Sequence, residues 1–418
     1  MDKGSDNMGR FFSDVVEEGI KNIYYNMSAG KGQESFRRLE QASAEGDGDA
    51  SCILARCLCG YQYTWSGHGF PEDDKRATAL LHKSVEQGSA IGVLVSLRSG
   101  ELPLWRRKKM PFSSLQEAFD MVLQKAEDGD AFCQYTIGNT YFWWDFLEIQ
   151  EKSKNSFPNS QEFKRYLKEN ISKCEDWFWK AYRGGMYHAG NNLNQFYLKG
   201  DEDIIPPCPE KAAGIFRIGA EKGYPPHQYI YAKELEQLGL KEEGLRWHEK
   251  AAKAGEADSW YYVGAAYEEG QAVPKDLSYA AECYERGLPS GSIGCRNRLG
   301  AMYFDGNGVI QDYDRGIRLI REAHEQGNNW GLIYLAKAHF YGYGAPRDYG
   351  IAREFLEQIT RENSEKDYML GVIYARGLGV AEDIKKGAEY LKKASGREDA
   401  REELSRYRKT LFGKWVRR

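Results

Sequence analysis

The sequence predicts an all-α protein, a right-handed α/α superhelical solenoid of about nine helix-turn-helix repeats with N- and C-terminal capping helices. Three observations carry that expectation. Apolar-small pairs recur about 36 residues apart, as Val263-Gly264, Leu299-Gly300, Leu335-Ala336 and Leu370-Gly371. Three positions after each small residue stands a ring side chain, at Tyr267, Tyr303, His339 and Tyr374. A glycine-bearing loop then delivers an aspartate, at Asp276, Asp312, Asp348 and Asp383.

Each part of the repeat has a physical reason. Leu and Tyr four apart share one helix face, and the Gly between them lets a neighbouring helix approach closely. Loop glycines such as Gly306-Asn307-Gly308 and Gly342-Tyr343-Gly344 end that helix, one of them in the left-handed conformation. The aspartate suits the start of the second helix, where a carboxylate accepts from free N–H groups and meets the positive end of the helix dipole. A second apolar stretch follows, such as Gly387, Tyr390, Leu391 and Ala394. One hairpin cannot bury its apolar face, but stacked hairpins can.

Looser copies extend upstream: Ile137-Gly138 with Tyr141, Leu193-Asn194 with Tyr197, Tyr231-Ala232 with Leu235, and frames around Leu54-Ala55 and Leu94-Val95. Gly-containing linkers mark the register, among them Gly46, Gly88, Gly129, Gly223, Gly255 and Gly327. The implied organisation is 1–49 as N-terminal capping helices, 50–396 as the solenoid, and 397–418 as a C-terminal capping helix with a basic tail. In the last segment Leu404, Tyr407 and Leu411 fall at helical spacing, with Phe412 and Trp415 completing the apolar cover.

The run Leu-Gly-x-x-Tyr-x-x-Gly-x-Gly-Val-x-x-Asp, clearest over 299–327 and 370–394, resembles the Sel-like repeat family, a relative of the tetratricopeptide repeat with a longer glycine-bearing loop. The resemblance covers about four-fifths of the chain. It implies a non-catalytic protein-interaction scaffold and no catalytic residues. In tetratricopeptide-type arrays the residue two before the Leu and the residue after the Gly face the concave groove. Carried onto this chain, these include Tyr135, Asn139, Asn191, Gln195, Tyr229, Lys233, Tyr261 and Asn297. Such a row is expected to be exposed and to hold an extended peptide through stacking and backbone hydrogen bonds. A competing role for Tyr135, Tyr229 and Tyr261 is packing between repeats.

The repeat is broken at irregular insertions near 100–114 and 143–175. The first holds Trp105 and the basic run Arg106 to Lys109, the second Trp143 and Trp144. Trp and Arg dominate interface hot spots, so both are candidate contact elements. Against this stand a solvated loop for Arg106 to Lys109 and a core cover for the two tryptophans. Docking of a folded partner through these insertions, as an inhibitor or immunity protein docks, is the alternative function.

Composition and motifs narrow the classes. Lys and Arg number 58 against 62 Asp and Glu, a net charge of −4, which argues against a general nucleic-acid binder. Apolar residues make up 41%, ample for a core. No apolar stretch approaches the ~20 residues of a spanning helix, and the start lacks the pattern of a secretory signal, so a cytoplasmic protein is expected. The eight cysteines recur at no common interval and are expected as reduced, buried thiols without a metal. No metalloprotease, phosphate-loop, nucleophile-elbow or complete dinucleotide motif occurs, and Ser28-Ala29-Gly30-Lys31 lacks companion motifs. The expectation is therefore no enzyme, no cofactor, and a protein or peptide partner.

Overall fold

The computed structural model describes residues 11–25, 29–60, 64–201, 204–411 and 413–418. Ser28 and Phe412, both singled out above, lie outside them. The chain falls into two units, Met1–Leu238 with Lys253–Glu256, and Gly239–Ala252 with Ala257–Arg418. Each is an all-α solenoid of stacked helical hairpins.

In the first unit, Asp14–Ile20 and Ala29–Ala44 precede the hairpins. The hairpins pair Gly48–Leu58 with Asp74–Glu86, Ala90–Arg98 with Leu115–Glu127, Ala131–Phe142 with Lys173–Arg183, and Ala189–Lys199 with Ile215–Glu221. Helix Pro225–Gln237 follows. Side-chain caps set where these helices begin: Asp47 accepts from the Ala50 N–H, Ser89 from Gly92 and Asp130 from Cys133. A continuous core runs from Phe12 through Leu54, Phe132 and Phe178 to Ile215.

The second unit holds helix Lys241–Lys253 up to Ala252 and four hairpins: Ser259–Glu269 with Leu277–Gly287, Ile293–Asp305 with Tyr313–Glu325, Leu332–Tyr341 with Tyr349–Gln358, and Ser364–Arg376 with Ile384–Lys393. The loop chemistry follows the sequence pattern. Gly270, Gly306, Gly342 and Gly377 end the first helices in the left-handed region. Asp276, Asp312, Asp348 and Asp383 cap the second helices, accepting from Tyr279, Arg315, Ile351 and Lys386 at 2.9–3.0 Å.

Two details go beyond the sequence reading. The second loop glycine is also left-handed, and it seats the loop on the preceding repeat: a Cβ at Gly344 would stand 2.7 Å from the Tyr313 carbonyl oxygen. Gly308 meets Leu277 in the same way. The loop at Gly270 has Ala272 in that place, at φ 65°, a conformation costly for any residue with a Cβ.

The C-terminal segment departs from expectation. A helix covers Glu398–Ser405 only, and then Tyr407–Lys409 pairs antiparallel with Trp415–Arg417. Tyr407 is buried against the last hairpin, Trp415 packs beside it, and Leu411 is fully exposed. The spacing of Leu404, Tyr407 and Leu411 is therefore not a helical stripe. Side chains alternate across a strand, so Tyr407 points inward and Arg408 outward, and Gly413 at φ 76° turns the chain back.

Candidate functional site

The first unit contains a pocket of about 610 Å³ built from its four consecutive first helices. A single repeat position explains its polar lining. Gly46, Gly88, Gly129 and Gly185 each turn the chain with positive φ ahead of a first helix. Ten residues on stand Arg56, Arg98, Asn139 and Gln195, and all four line the pocket. Helical spacing adds neighbours on the same face: Leu94 and Val95 before Arg98, Tyr135 and Thr136 before Asn139, and His188 and Asn192 before Gln195. Thr140 and Trp143 extend the Asn139 face by one further turn.

Floor and mouth differ in polarity and exposure. Arg56 is 5% exposed, its Nε donates to the Tyr24 hydroxyl at 3.1 Å, and its guanidinium lies 5.3–5.7 Å from the ring centres of Tyr24, Phe132 and Tyr135. Tyr135, Thr136 and Thr140 are buried on the same lining. At the mouth, Asn139, Asn192, His188 and Gln195 are half-buried, and the Asn192 amide donates to the Asn139 Oδ1 at 2.7 Å. The His188 ring stands edge-on to Tyr135 at 5.8 Å.

The second insertion forms part of the rim. Arg98 donates to the Asn139 carbonyl at 2.6 Å, pairs with Asp145 and lies over the half-exposed Trp143. Trp144 adopts φ 69°, rare for a bulky residue, and its indole N–H donates to Asp201 at 2.8 Å. That turn sets Asp145 against Arg98. The first insertion is fastened to the second, since Arg107 pairs with Glu148, and to helix Asp74–Glu86, since Arg106 pairs with Glu86 at 3.5 Å. Arg106 and Arg107 are thus engaged in ion pairs instead of forming a free solvated run. Trp105 remains 57% exposed with Arg106 over its ring.

The other expected site residues lie elsewhere. Asn191 is half-buried and its neighbour Asn192 takes the lining place. Tyr229 and Lys233 sit together on helix Pro225–Gln237, the ammonium 5.3 Å from the ring centre. Tyr261 belongs to the second unit, where it packs between hairpins against Tyr284 and close to Gly294. Asn297, expected to be exposed, is 2% exposed and lies under the turn into the next hairpin, where the missing side chain of Gly331 leaves room for its amide. These eight positions therefore do not form one exposed row.

Buried ionisable groups elsewhere fit packing. His227 touches the Tyr182 hydroxyl, and burial pushes it down to about 3, so it stays neutral. The buried thiols Cys52 and Cys295 are pushed up to about 12 by burial. Among the described residues no cluster of His, Cys, Asp and Glu is arranged to hold a metal, and no helix is long and apolar enough to cross a membrane.

The repeat identity follows from the same loops and caps. The Sel1 repeat pattern matches residues 53–89, 184–224, 237–256, 257–288, 295–328, 331–364 and 367–398, more than half of the chain. The chain belongs to the Sel1 repeat family. Sel1 repeat proteins are generally protein-interaction scaffolds and typically non-catalytic. The match lapses over 90–183, the stretch that supplies Arg98, Tyr135, Asn139 and Trp143 to the pocket.

Among curated proteins, an uncharacterised Sel1-like repeat-containing protein of Schizosaccharomyces pombe is 28% identical over 189 residues, covering 43% of this chain and 28% of that protein. The Sel1-repeat-containing protein YjcO of Escherichia coli K12 is 30% identical over 159 residues, 35% of this chain and 64% of YjcO. Both alignments thus span less than two thirds of the relative's length. A solved structure of c5321, a protective antigen present in uropathogenic Escherichia coli strains and displaying an SLR fold, aligns with 94% of this chain and 86% of its own at 21% identity and a TM-score of 0.48. A Sel1 repeat protein from Oxalobacter formigenes aligns with 75% and 93% at 19% identity and a TM-score of 0.40.

Proposed function

We propose that this chain is a non-catalytic scaffold that holds an extended segment of a partner protein in the pocket of its first unit. One observation carries the reading: a single repeat position supplies Arg56, Arg98, Asn139 and Gln195 to the same 610 Å³ space. Amide side chains offer a donor and an acceptor each, which is what a peptide backbone requires. Tyr135 and Trp143 add broad ring surfaces with few rotatable bonds. The insertion at 143–149 contributes to this reading as the rim of the pocket, so groove binding and insertion binding meet at one place.

Peptides selected from a random library on the full chain test the proposal. Changing Asn139 and Gln195 together to Ala is expected to weaken the selected peptides at least tenfold, about 1.4 kcal/mol. Unchanged affinity, with the double variant folded by circular dichroism, overturns it.

A further inference from the structure

The pocket's lining is one-sided in charge. Arg56 and Arg98 line it, beside the ring of His188, and among the described residues no Asp or Glu does, although the chain as a whole carries a net charge of −4. The two arginines are not equivalent. Arg98 shares its charge with Asp145 and spends a donor on the Asn139 carbonyl, which makes it a rim brace. Arg56 is on the floor, braced by the Tyr24 hydroxyl and three aromatic rings that hold its guanidinium in place. A guanidinium in such a weakly solvated place attracts an anion more strongly than one at the surface, and it matches the planar fork of a carboxylate. The amides of Asn139, Asn192 and Gln195 stand above it at the mouth, where they suit a backbone better than a charge.

The geometry points to an acidic side chain as the occupant: an aspartate or glutamate of the bound segment reaches down to Arg56 while its backbone pairs with the amides above. This rests on the proposed peptide-binding reading and specifies which peptides are taken.

The test uses the full chain and the best library-selected peptide. That peptide is expected to contain an acidic residue whose exchange for the matching amide, Glu for Gln or Asp for Asn, weakens binding at least tenfold. Wild-type affinity is also expected to fall as salt rises about tenfold, from about 50 to about 500 mM, because the added ions screen charge pairs. Arg56→Lys is expected to retain part of the preference for acid over amide, and Arg56→Met to abolish it. The peptide exchange needs no change in the protein, so the inference stays testable where Arg56→Met fails to fold. Equal binding of the acid and amide peptides overturns the inference and leaves the peptide-binding reading intact if the Asn139 and Gln195 changes still weaken both. Loss of binding on C-terminal amidation alone overturns it in favour of a chain terminus as the source of the carboxylate.

Discussion

The same repeat position has opposite fates in the two units. In the four hairpins of the first it carries Arg56, Arg98, Asn139 and Gln195, all facing one pocket. In the second it carries Ala265, Ala301, Lys337 and Val372. Ala301 and Val372 are buried, and Lys337 pairs with Glu365 while lying over Phe304 and Tyr334. Regularity runs the other way: the four hairpins of the second unit all keep the glycine-bearing loop and the aspartate cap, and two of the first unit's four hairpins carry insertions in place of that loop. Arg98 and Asn139 lie where the pattern lapses, whereas Arg56 and Gln195 fall within matched repeats, so adherence to the pattern does not by itself decide what this position carries.

The sharpest way to break the comparison is at the tight helix crossings of the regular unit. A Cβ at Gly300 would meet Ile320 at 2.7 Å and the Gly316 carbonyl at 2.9 Å. Gly300→Leu is expected to destabilise by about 3 kcal/mol in urea titration, because backbone on the far side cannot give way as a side chain can. A neutral result would mean that the regular repeats are not held by close approach.

A reciprocal exchange sharpens the contrast at the shared position. Ala301→Asn buries an amide without a partner and is expected to cost about 2 kcal/mol. Asn139→Ala is expected to cost less than about 0.5 kcal/mol, since Asn139 and its partner Asn192 are half-buried at the pocket mouth and water can replace the lost bond. Equal losses in the two melts would make the pocket amides structural. The smallest change improves the protein: Ala272→Gly relieves a left-handed alanine and is expected to stabilise by about 0.5 kcal/mol. No gain would show that the loop's shape there is set by its neighbours alone.

The regular unit was legible because its signals are local. Gly306 and Asp312 act on their own helix ends, and nothing distant is required to read them. The C-terminal hairpin was not, because Leu404, Tyr407 and Leu411 fit a helix by spacing, and only the pairing of Lys409 with Trp415 decides for strands. The pocket was half legible. Tyr135, Asn139, Gln195 and Trp143 came from repeat register and the insertion, and Arg56 follows from the Leu54-Ala55 frame when the same rule is applied there. Arg98 was missed because Leu94-Val95 imitates the apolar-small pair two residues early. The turn at Gly88 fixes the frame instead, on Ser96-Leu97. Burial of Asn297 was invisible because it depends on how the next hairpin begins, at Gly331.

The second loop glycine gives the array a direction in time. Gly308 rests on Leu277 and Gly344 on Tyr313, each a residue of the repeat synthesised just before. During translation the chain leaves the ribosome N-terminus first, so every such loop emerges after its seat has been made. Each new hairpin needs only to find its immediate predecessor, and no part of the second unit waits for a distant strand or a late closing contact. A gene that gains one more such unit at its end adds a loop whose resting place already exists.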